Sequence, residues 1–162
     1  AGLGEVRPLK MTSPSFVEKI FNVNFFSFIE IIRNINTPKF RNEHLSIIGV
    51  SATGAFQGNA TKTAYCASKA AMNAAVRCLA VELSNKGVKI NTVAPGATES
   101  KMMDNILNFP GGEEALKKII DRQFLGVCSP IDIANGILFL LSESSKMITG
   151  SCIPIDGGKL ST

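Results

Sequence analysis

The chain has no tryptophan, a single tyrosine and a single histidine. One histidine gives little basis for a metal site, and His44 lies in the polar run KFRNEH, which reads as a surface loop. The four cysteines, Cys66, Cys78, Cys128 and Cys152, are far apart and form no C-x-x-C pair. No metal is expected; buried free thiols in a reducing cytosol are. AGLGEVRPLK does not read as a secretion signal, and no apolar run approaches the length of a membrane span. Charge of one sign is scarce too. The formal net charge is +4, and basic residues alternate with acidic ones in EEALKKIIDR, the pattern of a solvated helix face rather than a nucleic-acid groove. The expectation is a soluble, cytoplasmic protein that binds neither membrane nor nucleic acid.

What is present is a globular composition. In 162 residues, 45% are hydrophobic and 19% charged, enough for one compact domain with a core. Ser13-Pro14 reads as a helix start, a capping hydroxyl followed by proline at the first helical position. The run SFVEKIFNVNFFSFIEIIRNI that follows is helical in spacing and apolar enough to be buried on more than one side. LSIIGVS reads as a buried strand ending near Ser51, ATGAFQGNATK as a loop, and residues 63–86 as a long helix stopped by Gly87. VKINTVAP is a second strand, ended by Pro95-Gly96; short helices follow near 99–107 and 112–123, then a clearer one from Pro130. SCIPID closes the chain as an edge strand, because Pro154 cannot donate to a ladder. Strands alternating with helices imply a parallel sheet with crossover helices, an α/β layer fold. No repeat or linker divides residues 1–162, so they read as a single domain. Its first strand has one edge free to pair with something else.

The residues with chemical potential centre on YCASK. Tyr65 and Lys69 are four apart on the long helix and so share a face. A free phenol has a pKa near ~10, and lowering it by ~3 units takes roughly 4 kcal/mol of differential stabilisation. A partly buried cation aided by a cofactor's charge can supply that; two exposed side chains cannot. The spacing alone is a weak signal. Ser51, at the C-terminal end of a strand, is either a turn residue or a hydroxyl able to hold a substrate oxygen. Asn24, inside a helix, is either a solvent-facing side chain or a polar contact.

Taken in order, the motifs resemble the carboxyl-terminal part of the short-chain dehydrogenase/reductase family. Ala1-Gly2 is similar to the end of the family's Asn-Asn-Ala-Gly turn, and Asn24 falls where its helix asparagine does. IIGVSATG resembles the strand with the active serine, YCASKAA the Tyr-x-x-x-Lys motif, INTVAPGATES the Asn-x-x-x-Pro-Gly segment, and ITGSCIPIDGG the closing strand. The resemblance implies the last three strands, with flanking helices, of a doubly wound Rossmann-type sheet. It also implies hydride transfer between a nicotinamide cofactor, NAD or NADP, and a carbonyl or alcohol. Tyr65 would be the general acid/base, Lys69 would lower its pKa and bind the nicotinamide ribose, Ser51 would hydrogen-bond the substrate oxygen, and Asn24 would position a relay water. Pro95, Gly96 and Thr98 would line the nicotinamide site, and Ser100 would reach the carboxamide or phosphate region. The helix after Ser51 and the last strand are surfaces through which such proteins form homo-oligomers.

The family's first half is absent from the sequence. That half carries the glycine-rich turn for the pyrophosphate and the residues that choose between the two cofactors. Residues 1–162 are thus expected to be an incomplete dinucleotide-binding and catalytic domain, a fragment or truncated chain. The alternative reading is a non-catalytic remnant serving as an assembly or binding module. Between the Pro-Gly turn and the last helix, Met102, Met103, Ile106, Leu107 and Phe109 either contact an apolar part of the substrate or pack a helical lid onto the core.

Overall fold

The three β-branched runs do form one parallel sheet. A computed structural model describes residues 2–37, 45–108 and 111–161, apart from the side chains at 105 and 106. In it, β1 (Leu45–Val50), β2 (Val88–Pro95) and β3 (Cys152–Ile155) pair in that order. The register sets Ile47 against Ile90 and Val93 against Ile153. The central strand is buried on both faces from Ile90 to Ala94, as expected where helices cover a parallel sheet from both sides. Pro154 sits in β3, which pairs only with β2, so its missing N–H costs no ladder bond.

Period-two alternation along β2 divides the core. Val88 and Ile90 face one way, against α2 (Ser27–Ile35) and α3 (Thr63–Leu83), where Ile32, Val76, Ala80 and Leu83 close the layer. Val93 faces the other way, against Ile133 and Leu140 of α6 (Pro130–Leu141) and Ile153 of β3. Before α2 comes α1 (Pro14–Phe21), and between β2 and α6 lie α4 (Lys101–Leu107) and α5 (Gly112–Ile120).

Helix ends follow the local sequence. Ser13 Oγ accepts the Phe16 amide at 3.3 Å ahead of Pro14, and Ser129 and Asp132 form a reciprocal capping box at the start of α6. After α3 a single tight turn, residues 84–86, leads to Gly87 at φ 70°, a left-handed position that a side chain would strain.

Two expectations need correction. The run after Ser13 is one continuous helix, but it buries only one side: Phe16, Ile20, Asn24 and Ile32 are buried, whereas Phe26 and Ile31 are 50% and 60% exposed. On the outer side Phe26 meets only its helix neighbours Phe21 and Phe25 among the described rings, and stays half exposed. Of the cysteines, all free, only Cys128 is buried; Cys66 and Cys152 are half-buried and Cys78 is exposed on α3. Ala1, His44 and Phe109, and the side chain of Ile106, lie outside the described residues.

Candidate active site

All three strands end on the same side of the sheet, and a cavity of about 440 Å³ opens there. Ser51 follows β1 directly, Pro95 ends β2, and α3 carries Tyr65 and Lys69 across the gap between them. The cavity wall includes Ser51, Tyr65, Lys69, Pro95, Gly96, Thr98 and Ser100. Of the residues singled out as catalytic or cofactor-binding, Asn24 is not on it; of the apolar candidates, Met102 and Met103 are on it and Leu107 is not. The C-terminal end of a parallel sheet is where open α/β folds leave room between loops for a ligand.

The one-turn spacing on α3 acquires its meaning from β1. Lys69 is buried, and its Nζ donates a 2.8 Å hydrogen bond to the backbone carbonyl of Val50, the last residue of that strand. Ser51 is buried too; its amide donates to Val93 O at 2.8 Å, tying it to β2, while its hydroxyl makes only a long 3.4 Å bond to Lys69 O. A hydroxyl contact of that length is weaker than an ordinary one, which centres near ~2.7–2.8 Å, and is easily exchanged for a ligand oxygen.

Burial acts on Tyr65 and Lys69 in opposite directions on the pKa scale, because in each it opposes the charged form. It pushes the Tyr65 phenol up to about 12, with the neighbouring Cys66 thiol adding to the rise. It pushes the Lys69 ammonium down. In the chain by itself, desolvation sets the state of the phenol, and the Lys69 ammonium donates to the Val50 carbonyl. Tyr65 is an acid at neutral pH, holding its proton beside the cavity.

Asn24 is neither solvent-facing nor loose. It sits in a wider, π-helical turn, Asn22–Phe26, and is 2% exposed. Its Nδ2 donates to Leu3 O (2.9 Å) and to Ser68 Oγ (3.1 Å), and its Oδ1 accepts from Leu3 N (2.8 Å). Ser68 Oγ in turn donates to the Tyr65 carbonyl at 2.7 Å. The asparagine thus clamps the N-terminal segment to the turn of α3 that bears the tyrosine. A π turn inside an α-helix is a recurrent feature of functional sites. The bare Cα of Gly2 lies alongside: a Cβ built there would be 3.5 Å from Asn24 Oδ1 and 3.9 Å from Lys69 Nζ.

The turn after β2 is locked by a residue the sequence did not single out. Gln123 is buried; its Oε1 accepts the Ala97 amide at 2.8 Å and its Nε2 donates to Ala97 O at 3.0 Å. Gly96 is needed for that closeness, since a Cβ there would collide with Gln123 Oε1 and lie 2.8 Å from Asp156 Cα. Thr98 and Ser100 turn their hydroxyls onto the loop itself, to Gly96 O (3.3 Å) and Thr98 O (3.0 Å). Lys62 and Lys159 also line the cavity and were not anticipated. Lys62 stands three residues before Tyr65, and a charge at that spacing was a readable signal; nothing local marks Lys159 or Gln123. Among the described residues there is no cluster of His, Cys, Asp and Glu that could hold a metal ion. Nor is any described helix long and apolar enough to cross a membrane.

Comparison with known proteins shows the family and the fold. A family model described as enoyl-(acyl carrier protein) reductase matches residues 1–159. L-xylulose reductase of Caenorhabditis elegans is 31% identical over 161 residues, 98% of this chain and 62% of that protein. The structure of a short chain dehydrogenase family protein from Francisella tularensis superimposes over 100% of this chain and 69% of its own, with a TM-score of 0.88 and 26% identity. That of a 7α-hydroxysteroid dehydrogenase complexed with NADH and 7-oxo glycochenodeoxycholic acid covers 98% and 60%, with a TM-score of 0.87 and 28% identity. The chain belongs to the short-chain dehydrogenase/reductase family. It spans about three-fifths of the length of the curated relative it matches.

Proposed function

We propose that this chain carries the proton-transferring part of an oxidoreductase that uses NAD or NADP and acts on a small carbonyl or alcohol. What carries the reading is one cavity that collects Ser51, Tyr65 and Lys69 from two different elements beside the Pro95–Ser100 turn. The residues suit the nicotinamide end of such a cofactor: a buried amine, a phenol, the Thr98 hydroxyl, and the backbone of Gly2 and Gly96 on the cavity wall. When bound, that group supplies or takes up the hydride.

The chain's own residues supply the rest. Ser51 Oγ exchanges its long bond to Lys69 O for the substrate oxygen and orients it. Tyr65 Oη gives its proton to that oxygen during reduction and takes one back during oxidation. Lys69 Nζ stabilises the phenolate formed as the proton leaves. The space beside Gly2, flanked by Asn24 Oδ1 and Lys69 Nζ, is the place assigned to a water that re-supplies protons. With the phenol held protonated by burial, Tyr65 is ready to donate at neutral pH, and its availability as a base grows as pH rises toward about 12. A glycine-rich phosphate-binding unit, which these residues do not include, would hold the other end of the cofactor.

The exposed apolar side of the α1–α2 helix, with Phe26 and Ile31, together with the outer edge of β1, which pairs with no strand among the described residues, supports self-association, which sedimentation of the purified protein would measure. The decisive experiment is a spectrophotometric assay of the full-length gene product with NADH and with NADPH against a panel of small ketones. Turnover with one cofactor, removed by Tyr65→Phe, is expected. Undiminished turnover in Tyr65→Phe would overturn the assignment.

A further inference from the structure

Tyr65 has one close neighbour to which the chemistry above gives no part. Cys66, the next residue on α3, is a free, half-buried thiol whose sulfur lies against the turn that follows Ser51. That turn, Thr53–Ala55, buries Gly54 and is closed by hydrogen bonds from Ala55 N to Ala52 O and from Phe56 N to Thr53 O, both 3.0 Å. A Cβ built on Gly54 would be 3.1 Å from Cys66 Sγ, 3.5 Å from Asn59 Nδ2 and 3.6 Å from Tyr65 Cε1. Thiol, amide and the edge of the ring thus converge on one bare Cα. Gly54 is not at a left-handed φ, so closeness alone requires glycine there. Asn59 Nδ2 also donates to Cys66 Sγ at 3.8 Å. The main chain ties the same loop to the helix, through Lys62 N to Asn59 O at 3.2 Å and Cys66 N to Lys62 O at 2.9 Å. Sulfur is a weak acceptor, so the thiol keeps its seat chiefly by packing.

Resting on the oxidoreductase reading of this site, we infer that Cys66 is a positioning residue: its thiol, seated between the Gly54 Cα and the Asn59 amide, fixes the ring of Tyr65 against the turn after Ser51 and so sets the reach of the phenol to the substrate oxygen. Ser51 stands three residues before Gly54, and its amide bond to Val93 O anchors that side on β2. Lys69, bonded to Val50 O, anchors the helix side one turn beyond Tyr65. The thiol fills the space between these two anchors. A group of the wrong size there shifts the phenol by a fraction of an ångström, and proton transfer between positioned groups is sensitive to such a shift.

Tyr65 is the chain's only tyrosine and tryptophan is absent, so tyrosine emission reports this ring alone, with or without turnover. In the purified chain Cys66→Ala should make Tyr65 more accessible to acrylamide, a neutral quencher, because water takes the place of the sulfur. A methyl at 54 and a sulfur at 66 compete for one space, so adding Gly54→Ala to Cys66→Ala should restore the quenching of the unsubstituted chain. In the full-length gene product Cys66→Ala should lower kcat roughly tenfold, with KM and the thermal midpoint little changed. Cys66→Ser, close in size, should keep most of the activity, and the double variant should recover it. Quenching and kcat both unchanged in Cys66→Ala overturn the inference. So does a loss of kcat that follows the thermal midpoint and that Gly54→Ala does not restore, because the thiol would then serve stability alone. The expected quenching pattern in a protein that transfers no hydride would sustain the seat of the ring and remove only the proposed activity.

Discussion

The two halves of α3 face the same sheet and are built on different terms. Toward its C-terminal end the helix buries Val76, Ala80 and Leu83 against Val88, Ile90 and Ile32. Toward its N-terminal end it buries Ser68, Lys69 and Asn73, with Tyr65 beside them. Each apolar residue gains by leaving water; each polar one is acceptable only because a specific partner replaces water. Lys69 has the Val50 carbonyl, Ser68 has Asn24 and the Tyr65 carbonyl, and Asn73 Oδ1 accepts from Thr92 Oγ1 at 3.0 Å, although the buried Asn73 Nδ2 has no hydrogen-bond partner among the described residues. One end of the helix thus stabilises the domain, and the other holds groups in states that water would not give them. Stability and chemistry are separated along a single element.

That separation can be broken from either end. The largest effect expected is on activity: Tyr65→Phe removes the proton donor and should lower turnover by ~10²–10⁴-fold. Its thermal midpoint should hardly move, since the phenyl ring keeps its place in the wall. A parallel fall in both quantities would mean that the tyrosine is structural. From the other end, Leu83→Ala should cost about 2–5 kcal/mol in urea unfolding, by loss of buried area and a residual cavity. The fraction still folded should turn over substrate as before.

Smaller in size is the pH dependence. Folded Tyr65 keeps its proton up to about 12, whereas the unfolded phenol releases it near 10. Between those values the unfolded chain binds fewer protons, so stability falls as pH rises, by roughly 2–3 kcal/mol in all from this group. Lys69 acts in the opposite sense below its unfolded value, because burial lowers its folded pKa. Subtracting the unfolding profile of Tyr65→Phe from that of the unsubstituted chain isolates the tyrosine. A difference that stays flat across pH 10–12 would show the phenol to be solvated. The smallest effect expected is far from both halves: Ser129→Ala opens the capping box of α6 and should cost about 1 kcal/mol, read by the same denaturation, with no change in ligand binding.

Much of this was legible in the residues. Ser13-Pro14, Ser129 with Asp132, and Gly87 mark helix ends by local hydrogen bonding and backbone freedom, so short stretches suffice to read them. The strands were legible because β-branched runs between glycine and proline turns have few other uses, and Ser51, Tyr65 and Lys69 because several family-like motifs occur in order, the one-turn spacing alone being a weak signal. The buried face of the α1–α2 helix was misjudged: its apolar content says that it can be covered, not that a covering element exists.

The amino-acid order by itself therefore determined the elements, their ends and the one-turn pairing of phenol and amine, all of which follow from interactions within a few residues. Tertiary structure alone decided the rest. It joined Asn24 to Leu3 and Ser68, brought Gln123 under the Gly96 turn, and gathered Ser51, Tyr65 and Lys69 with the Pro95 turn in the wall of one cavity. Those contacts depend on how separate elements pack, and burial, which sets whether a phenol holds its proton, is a property of that packing and of no single stretch of chain.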